Sequence, residues 1–241
     1  MIPKKIHYCW FGGKEKPKSV LEYIDTWKKF LPDYEIKEWN EKNFDVNKYS
    51  YTKEAYYAKK YAFVSDVARL YALVNEGGIY FDTDIRVLKS FPDSLLSNKA
   101  FTSFEHDINV ATGVLGSEPF NPLFVRFLDF YTKLNFFCRL KYNDAPNVNY
   151  FTRMLEQYEG LKRNNKCQIL ENITVYPQVY FCANDCRTGI RYNNDDTYTI
   201  HEFSGTWCAQ KNTFLKRLKN RIDMSLVILK YKCSRRLFLI K

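Results

Sequence analysis

An α/β fold built on a mainly parallel sheet is predicted by three features of this 241-residue sequence. The chain opens strand, helix, strand. A long helical stretch is then closed by paired glycines, and an apolar strand bearing two acids follows at once. Such an opening favours a parallel layer, because parallel strands need a crossover connection between them. The length allows one α/β domain with a substantial core.

Lys5 to Phe11 reads as the first strand, ended by Gly12-Gly13. Ser19 to Phe30 places Val20, Ile24 and Trp27 at helical spacing. Pro32-Asp33 is a turn, and Tyr34 to Trp39 reads as the second strand. Tyr51 to Asn75 contains neither Gly nor Pro and is expected to be helical with at most one break. It stops at Glu76-Gly77-Gly78, where glycine can take the left-handed conformation that closes a helix. Ile79 to Leu88 is expected as one strand carrying the acidic pair, and Phe101 to Leu115 as further strand and loop. Asn121 to Phe137 and Tyr150 to Tyr158 look helical, whereas Ile169 to Val179 and Thr197 to Phe203 look extended. No internal repeat is visible.

The net charge of +10 would suit a nucleic-acid binder if it were spread over the chain. It is not: residues 211–241 hold ten Lys or Arg against the single acid Asp223, leaving residues 1–210 with 27 bases and 26 acids. The expected organisation is therefore a near-neutral main domain, 1–210, and a basic tail, 211–241. No nucleic-acid partner is expected, since phosphates call for a broad basic footprint. If the tail is helical, Leu215, Leu218, Ile222, Leu226 and Leu229 fall within an arc of roughly 80°. Such a basic amphipathic helix suits either an anionic membrane surface or packing on the domain.

The seven cysteines, Cys9, Cys138, Cys167, Cys182, Cys186, Cys208 and Cys233, are odd in number and irregular in spacing. They make no disulfide framework and suit free thiols in a reducing cytosol. Cys182 and Cys186 lack a second pair nearby, which argues against a zinc site of the paired-cysteine kind. No secretion signal opens the chain, and the longest C-terminal apolar run, Leu226 to Leu229, is far shorter than a bilayer span. A cytoplasmic protein is expected, peripheral at the inner membrane face if the tail binds lipid.

Asp82 and Asp84 carry the sharpest chemical signal. On a strand, residues i and i+2 point to one side, so the two carboxylates would converge. Their repulsion is costly when partly buried, and a divalent cation removes that cost. Hard oxygen ligands suit Mg²⁺ or Mn²⁺. The flanking Ile79, Tyr80, Phe81, Ile85 and Val87 are apolar, which sets the pair in a buried segment rather than a surface turn. Asp66 and Arg69, spaced i and i+3, share one face of the preceding helix within a nearly apolar stretch. A buried charge pair needs further partners, and sugar hydroxyls could supply them.

Three segments together, Ile2-Pro3-Lys4-Lys5-Ile6-His7-Tyr8-Cys9-Trp10-Phe11-Gly12, Ser65-Asp66-Val67-Ala68-Arg69 and Gly77-Gly78-Ile79-Tyr80-Phe81-Asp82-Thr83-Asp84, resemble glycosyltransferase family 32. That family contains capsular-polysaccharide and lipopolysaccharide transferases and is similar to the catalytic domains of glucosylating clostridial toxins. The resemblance spans roughly residues 2–210 and leaves the tail outside. It implies a GT-A fold, Rossmann-like with a mixed, mainly parallel sheet, and a nucleotide-diphosphate sugar donor such as a UDP- or GDP-sugar. It also implies Mn²⁺ or Mg²⁺ and transfer with retention of configuration to a glycan or lipid-linked acceptor.

By the same resemblance, Trp10 stacks on the donor base, Asp66 and Arg69 hold the donor sugar, Tyr80 and Asp82 contact the donor, and Asp84 ligates the metal. His201-Glu202-Phe203-Ser204-Gly205-Thr206-Trp207 is similar to the family's terminal His-His-x-x-x-Ser-Trp pattern, with Glu202 replacing the second His. His201 and Glu202 face opposite ways on an extended chain, so one of them is expected at the metal. The acid of the related toxins favours Glu202. Trp207 is expected to close over the pyrophosphate or pack the domain end, and Asn109 to line the sugar pocket.

Two other classes compete. A haloacid-dehalogenase-type phosphatase also uses an acidic pair after a buried strand, but wants Thr or Val where Arg86 stands. A non-catalytic membrane-associated binding protein would use the basic tail alone.

Overall fold

The computed structural model describes residues 1–105, 109–139, 141–185, 188, 190–204 and 223–232. The chain runs through β1 (Lys5–Cys9), α1 (Lys18–Phe30), β2 (Glu35–Trp39), α2 (Ser50–Tyr57), α3 (Tyr61–Glu76), β3 (Gly78–Phe81) and β4 (Ile85–Val87). There follow α4 (Asp93–Leu96), β5 (Ala100–Glu105), β6 (Asn109–Val110), β7 (Val114–Ser117), α5 (Pro122–Thr132), β8 (Phe137–Cys138) and β9 (Lys141–Tyr142). The described chain then forms α6 (Asn147–Glu159), β10 (Gln168–Ile169), β11 (Thr174–Tyr176), α7 (Gln178–Phe181), β12 (Thr199–His201) and a helix over 223–232, here α8.

The central sheet has the order β10-β11-β5-β7-β3-β1-β2, with β6 beside β5. β1 pairs parallel with both β2 and β3, as the opening strand, helix, strand pattern predicts. β7 runs antiparallel between β3 and β5, and β11 lies parallel to β5. Five strands, β1, β2, β3, β5 and β11, therefore share one direction in a mixed, mainly parallel sheet. Successive side chains on a strand face opposite ways: on β3, Ile79 and Phe81 join one apolar cluster and Tyr80 the other. The first cluster, with Trp27 and Phe181, lies under α1 and α7, while the second lies under α3, α5 and α6. The result is a sheet covered by helices on both faces.

The junction of α3 with β3 is fixed by a buried histidine. Trp39 donates its indole N–H to Nδ1 of His7 at 3.0 Å, so Nε2 carries the proton and donates to the Gly77 carbonyl at 2.7 Å. Gly78 has φ +98°, and a Cβ there would lie 2.8 Å from the Lys5 carbonyl oxygen, so both conformation and space demand glycine.

The helical stretch over residues 51–75 carries the single break that the sequence allowed, into α2 and α3, with Lys59 at φ +56° between them. The strand expected over residues 79–88 is also two strands, because Asp82, Thr83 and Asp84 form a turn. The turn takes the chain out of the central sheet, and β4 pairs instead with β12.

In the tail, Ile228 and Tyr231 of α8 are buried, and Tyr231 packs edge-on against Tyr57 and Phe137. Leu226 and Leu229, which share the apolar arc expected from the sequence, are exposed rather than packed on the domain. The phase of the helix is set by those two aromatic contacts rather than by its leucines. Leu215, Leu218 and Ile222 lie outside the described residues. Among the described residues, no helix is long and apolar enough to cross a membrane.

Candidate active site

Arg69 is the centre of a buried polar cluster at the C-terminal end of β3. Its Nη2 lies 3.0 Å from Oδ1 of Asp66, one helical turn away, and 3.2 Å from Oδ1 of Asp82. Nη1 donates to the Thr112 carbonyl at 2.8 Å, and the guanidinium lies over the Tyr80 ring, 4.6 Å from its centroid. Tyr80 donates its hydroxyl to Oδ1 of Asp82 at 3.0 Å. Asn147, at the start of α6, donates to Oδ1 of Asp66 at 2.8 Å and accepts from the Thr112 hydroxyl at 2.9 Å. The protein itself thus supplies the partners that a buried ion pair requires. Burial pushes the Asp66 carboxyl up to about 7; Arg69 opposes this and Asp82 adds to it.

The second half of the site comes from β12. Its antiparallel register sets His201 opposite Ile85, the residue after the acidic turn. His201 Nε2 therefore lies 3.1 Å from Oδ1 of Asp84, and the backbone N–H of Ser204 donates to Oδ2 at 2.9 Å. Burial raises the Asp84 pKa, but these donors outweigh it and hold the carboxyl below its usual value. For His201, burial lowers the pKa, yet Asp84 and a hydrogen bond with Cys182 hold the ring well above its ordinary value. Trp27 anchors the far side of the turn by donating its indole N–H to the Ile85 carbonyl at 2.7 Å.

One ligand atom each from Asp82, Asp84 and His201 lie within 4.8 Å of one another. Two carboxylates and an imidazole form a set able to hold a divalent cation. Room for it depends on Gly113. A Cβ at that position would stand 3.1 Å from His201 Nδ1 and 3.2 Å from Oδ2 of Asp82, the oxygen that Arg69 leaves unclaimed.

The structure brings together Asp66, Arg69, Tyr80, Asp82, Asp84 and His201 from the residues singled out in the sequence. Glu202 is directed elsewhere, because its neighbour His201 occupies the inward side of the strand. Its two oxygens take Arg86 Nε at 2.9 Å and Arg191 Nη2 at 2.6 Å. Trp10 is half-buried just after β1, with its indole N–H donated to the Lys14 carbonyl. Asn109 sits on β6 opposite Glu105 and accepts from Arg163 at 3.4 Å. Trp207 and Thr206 lie outside the described residues.

Sequence reasoning did not single out Thr112, Gly113, Asn147, Glu105 or the contact of Cys182 with His201. The one available signal was Thr112-Gly113 just before an apolar strand. Asn147 carries none, since its role depends on where α6 docks.

Residues 17–102 match the family model described as a glycosyltransferase sugar-binding region containing a DXD motif. The matched region includes Asp66, Arg69 and the Asp82-Thr83-Asp84 turn. A curated relative, subversion of eukaryotic traffic protein A of Legionella pneumophila, is 28% identical over 127 residues, 42% of this chain. The chain spans only about a fifth of that relative's length. Among solved structures, the PaToxG glycosyltransferase is 25% identical with a TM-score of 0.46, over 65% of this chain and 68% of that one. The galactosyltransferase LgtC, solved with donor and acceptor sugar analogues, is 10% identical with a TM-score of 0.39, over 92% and 95% of the two chains. Residues 17–102 are therefore similar to the DXD-containing sugar-binding region of glycosyltransferases.

Proposed function

We propose that this enzyme moves a sugar from a UDP- or GDP-sugar to a glycan or lipid-linked acceptor, using Mn²⁺ or Mg²⁺ held by Asp82, Asp84 and His201. The observation that carries this reading is the convergence of those three side chains beside the buried Asp66–Arg69 pair. The imidazole in the set favours Mn²⁺ over Mg²⁺. When bound, the cation supplies charge neutralisation for the departing diphosphate, worth several kcal/mol in the transition state.

The chain's own residues do the positioning. Arg69, fixed by Asp66, Asp82, Tyr80 and Thr112, presents a rigid cationic edge, and Asp66 and Asp82 offer acceptors to sugar hydroxyls. Trp10 and Trp207 would flank the base and pyrophosphate, Tyr80 would contact the donor and Asn109 would border the sugar. Retention of configuration follows if the acceptor attacks from the side the diphosphate leaves and the leaving phosphate oxygen takes its proton. A role in bacterial surface polysaccharide synthesis is supported by the family-32 resemblance. Peripheral association with an anionic membrane face is supported by the outward Leu226 and Leu229 beside exposed Lys230 and Lys232 on α8.

The test is a screen of UDP- and GDP-sugars for hydrolysis with and without Mn²⁺, followed by transfer to glycan acceptors. Metal-dependent turnover of at least one donor is expected. Turnover of none, or turnover indifferent to a chelator, would remove the reading.

A further inference from the structure

A second cluster of metal-ligating groups touches the first. Glu105 at the end of β5, Cys182 just after α7 and His201 at the end of β12 are buried together, with one ligand atom from each within 4.8 Å of the others. Three separate elements converge here, so the grouping belongs to the tertiary fold rather than to one loop.

Glu105 is the informative member. It is only 7% exposed, so its carboxylate is nearly out of water, where a bound cation would stabilise it. Asp82 and His201 are the charged groups that face it. Cys182, 1% exposed, is in no disulfide and its thiol contacts His201. One sulfur, one imidazole and one carboxylate are thus brought within reach of a single ion.

Those donors differ in kind from the neighbouring set. Asp82, Asp84 and His201 offer mainly hard oxygen, suited to Mn²⁺ or Mg²⁺. Glu105, Cys182 and His201 offer a thiolate, an imidazole and a carboxylate, the three ligand types that bind Zn²⁺, with a fourth position left to water. His201 belongs to both sets and meets Asp84 and Cys182 at once, so a ring bound to one cation cannot bind a second without giving up its ring proton.

We propose that Glu105, Cys182 and His201 form a site for Zn²⁺ or another thiophilic divalent cation, and that its occupation takes His201 out of the Mn²⁺ set and weakens Mn²⁺ binding. The second clause rests on the metal role given to Asp84 and His201 above; the site itself does not.

Cobalt reports on it directly, since thiolate ligation of Co²⁺ gives a near-ultraviolet charge-transfer band and no sugar donor is needed. Reduced full-length protein titrated with Co²⁺ is expected to give a band that saturates at one equivalent and disappears when Zn²⁺ is added. Cys182→Ser should abolish it. Glu105→Gln, which keeps the thiol, should weaken Co²⁺ at least about tenfold while melting as the wild type does, which covers the case where the serine variant fails to fold. No band in the wild type, or a band that survives in Cys182→Ser, overturns the site. A wild-type band with Mn²⁺ still fully bound after one equivalent of Zn²⁺, read by the electron paramagnetic resonance of free Mn²⁺, overturns the competition alone. Failure to find any transferase activity would leave the cobalt result standing.

Discussion

Asp82 and Asp84 stand two residues apart in one turn, yet they are held by different parts of the chain. Asp82 is held by Arg69 and Tyr80, both within the preceding helix–turn–strand unit. Asp84 is held by His201 and Ser204, the latter 120 residues away. The first half can form as soon as α3 packs on β3. The second exists only when β12 pairs with β4, so its geometry depends on the register of a short antiparallel ribbon. A site assembled this way couples a stable local scaffold to a distant closing element.

The largest expected effect breaks the local half. Arg69→Ala leaves the buried Asp66 and the half-buried Asp82 without their cation, and breaking a buried pair costs about 3–5 kcal/mol. Urea unfolding should show that loss along with the loss of activity. A loss below 1 kcal/mol would mean that Arg69 is not the centre of the cluster.

The distant half is sharpened by two adjacent residues. His201→Gln should lower metal-dependent activity by at least about 100-fold, the scale of removing one contact to developing charge. Glu202→Gln should leave activity within a few-fold of wild type and cost no more than about 1 kcal/mol, since Arg86 and Arg191 are partly exposed. The reverse ranking, read by donor hydrolysis, would return the metal role to Glu202.

Between the two halves, Gly113→Ala pushes a methyl against His201 and Asp82. Overpacking of this kind typically costs about 1–3 kcal/mol, and Mn²⁺ affinity should fall about tenfold, which isothermal titration would detect. Unchanged affinity would mean that the cation does not sit between those side chains.

The smallest effect lies away from the site, where Glu76 at the end of α3 meets Lys37 at 2.5 Å and Lys5 at 2.9 Å. Burial pushes its carboxyl up, but the two ammonium groups outweigh this and hold it below the usual range. A depressed carboxyl contributes stability above its unfolded pKa of about 4.3 and loses it as pH falls through the folded value. Glu76→Gln should therefore melt lower than wild type at pH 7 by less than about 1 kcal/mol, with the difference vanishing near pH 3. A difference that grows on acidification would contradict the pairing.

The same division explains what the sequence disclosed. Asp66 and Arg69 at i and i+3, and the Gly77-Gly78 stop, are local patterns, and the structure follows them. The convergence of Asp82 and Asp84 was also legible, but for the wrong reason: it arises from a turn rather than from strand alternation. The outward placement of Leu226 and Leu229 and the choice of His201 over Glu202 depend on partners far along the chain. Periodicity fixes which residues share a face of a helix or strand, but not which face meets the domain. Asn147, Glu105 and Cys182 reach the site only through the docking of α6, β5 and α7, which no local pattern encodes.

The central claim is that one divalent cation is gathered by Asp82, Asp84 and His201. Titrating Mn²⁺ into the full-length protein with UDP or GDP present, followed by electron paramagnetic resonance, tests it most directly. One tight equivalent is expected for wild type, with at least about tenfold weaker binding in Asp84→Asn under conditions where that variant is still folded by its melting curve. Equal Mn²⁺ binding by Asp84→Asn and wild type would contradict the account.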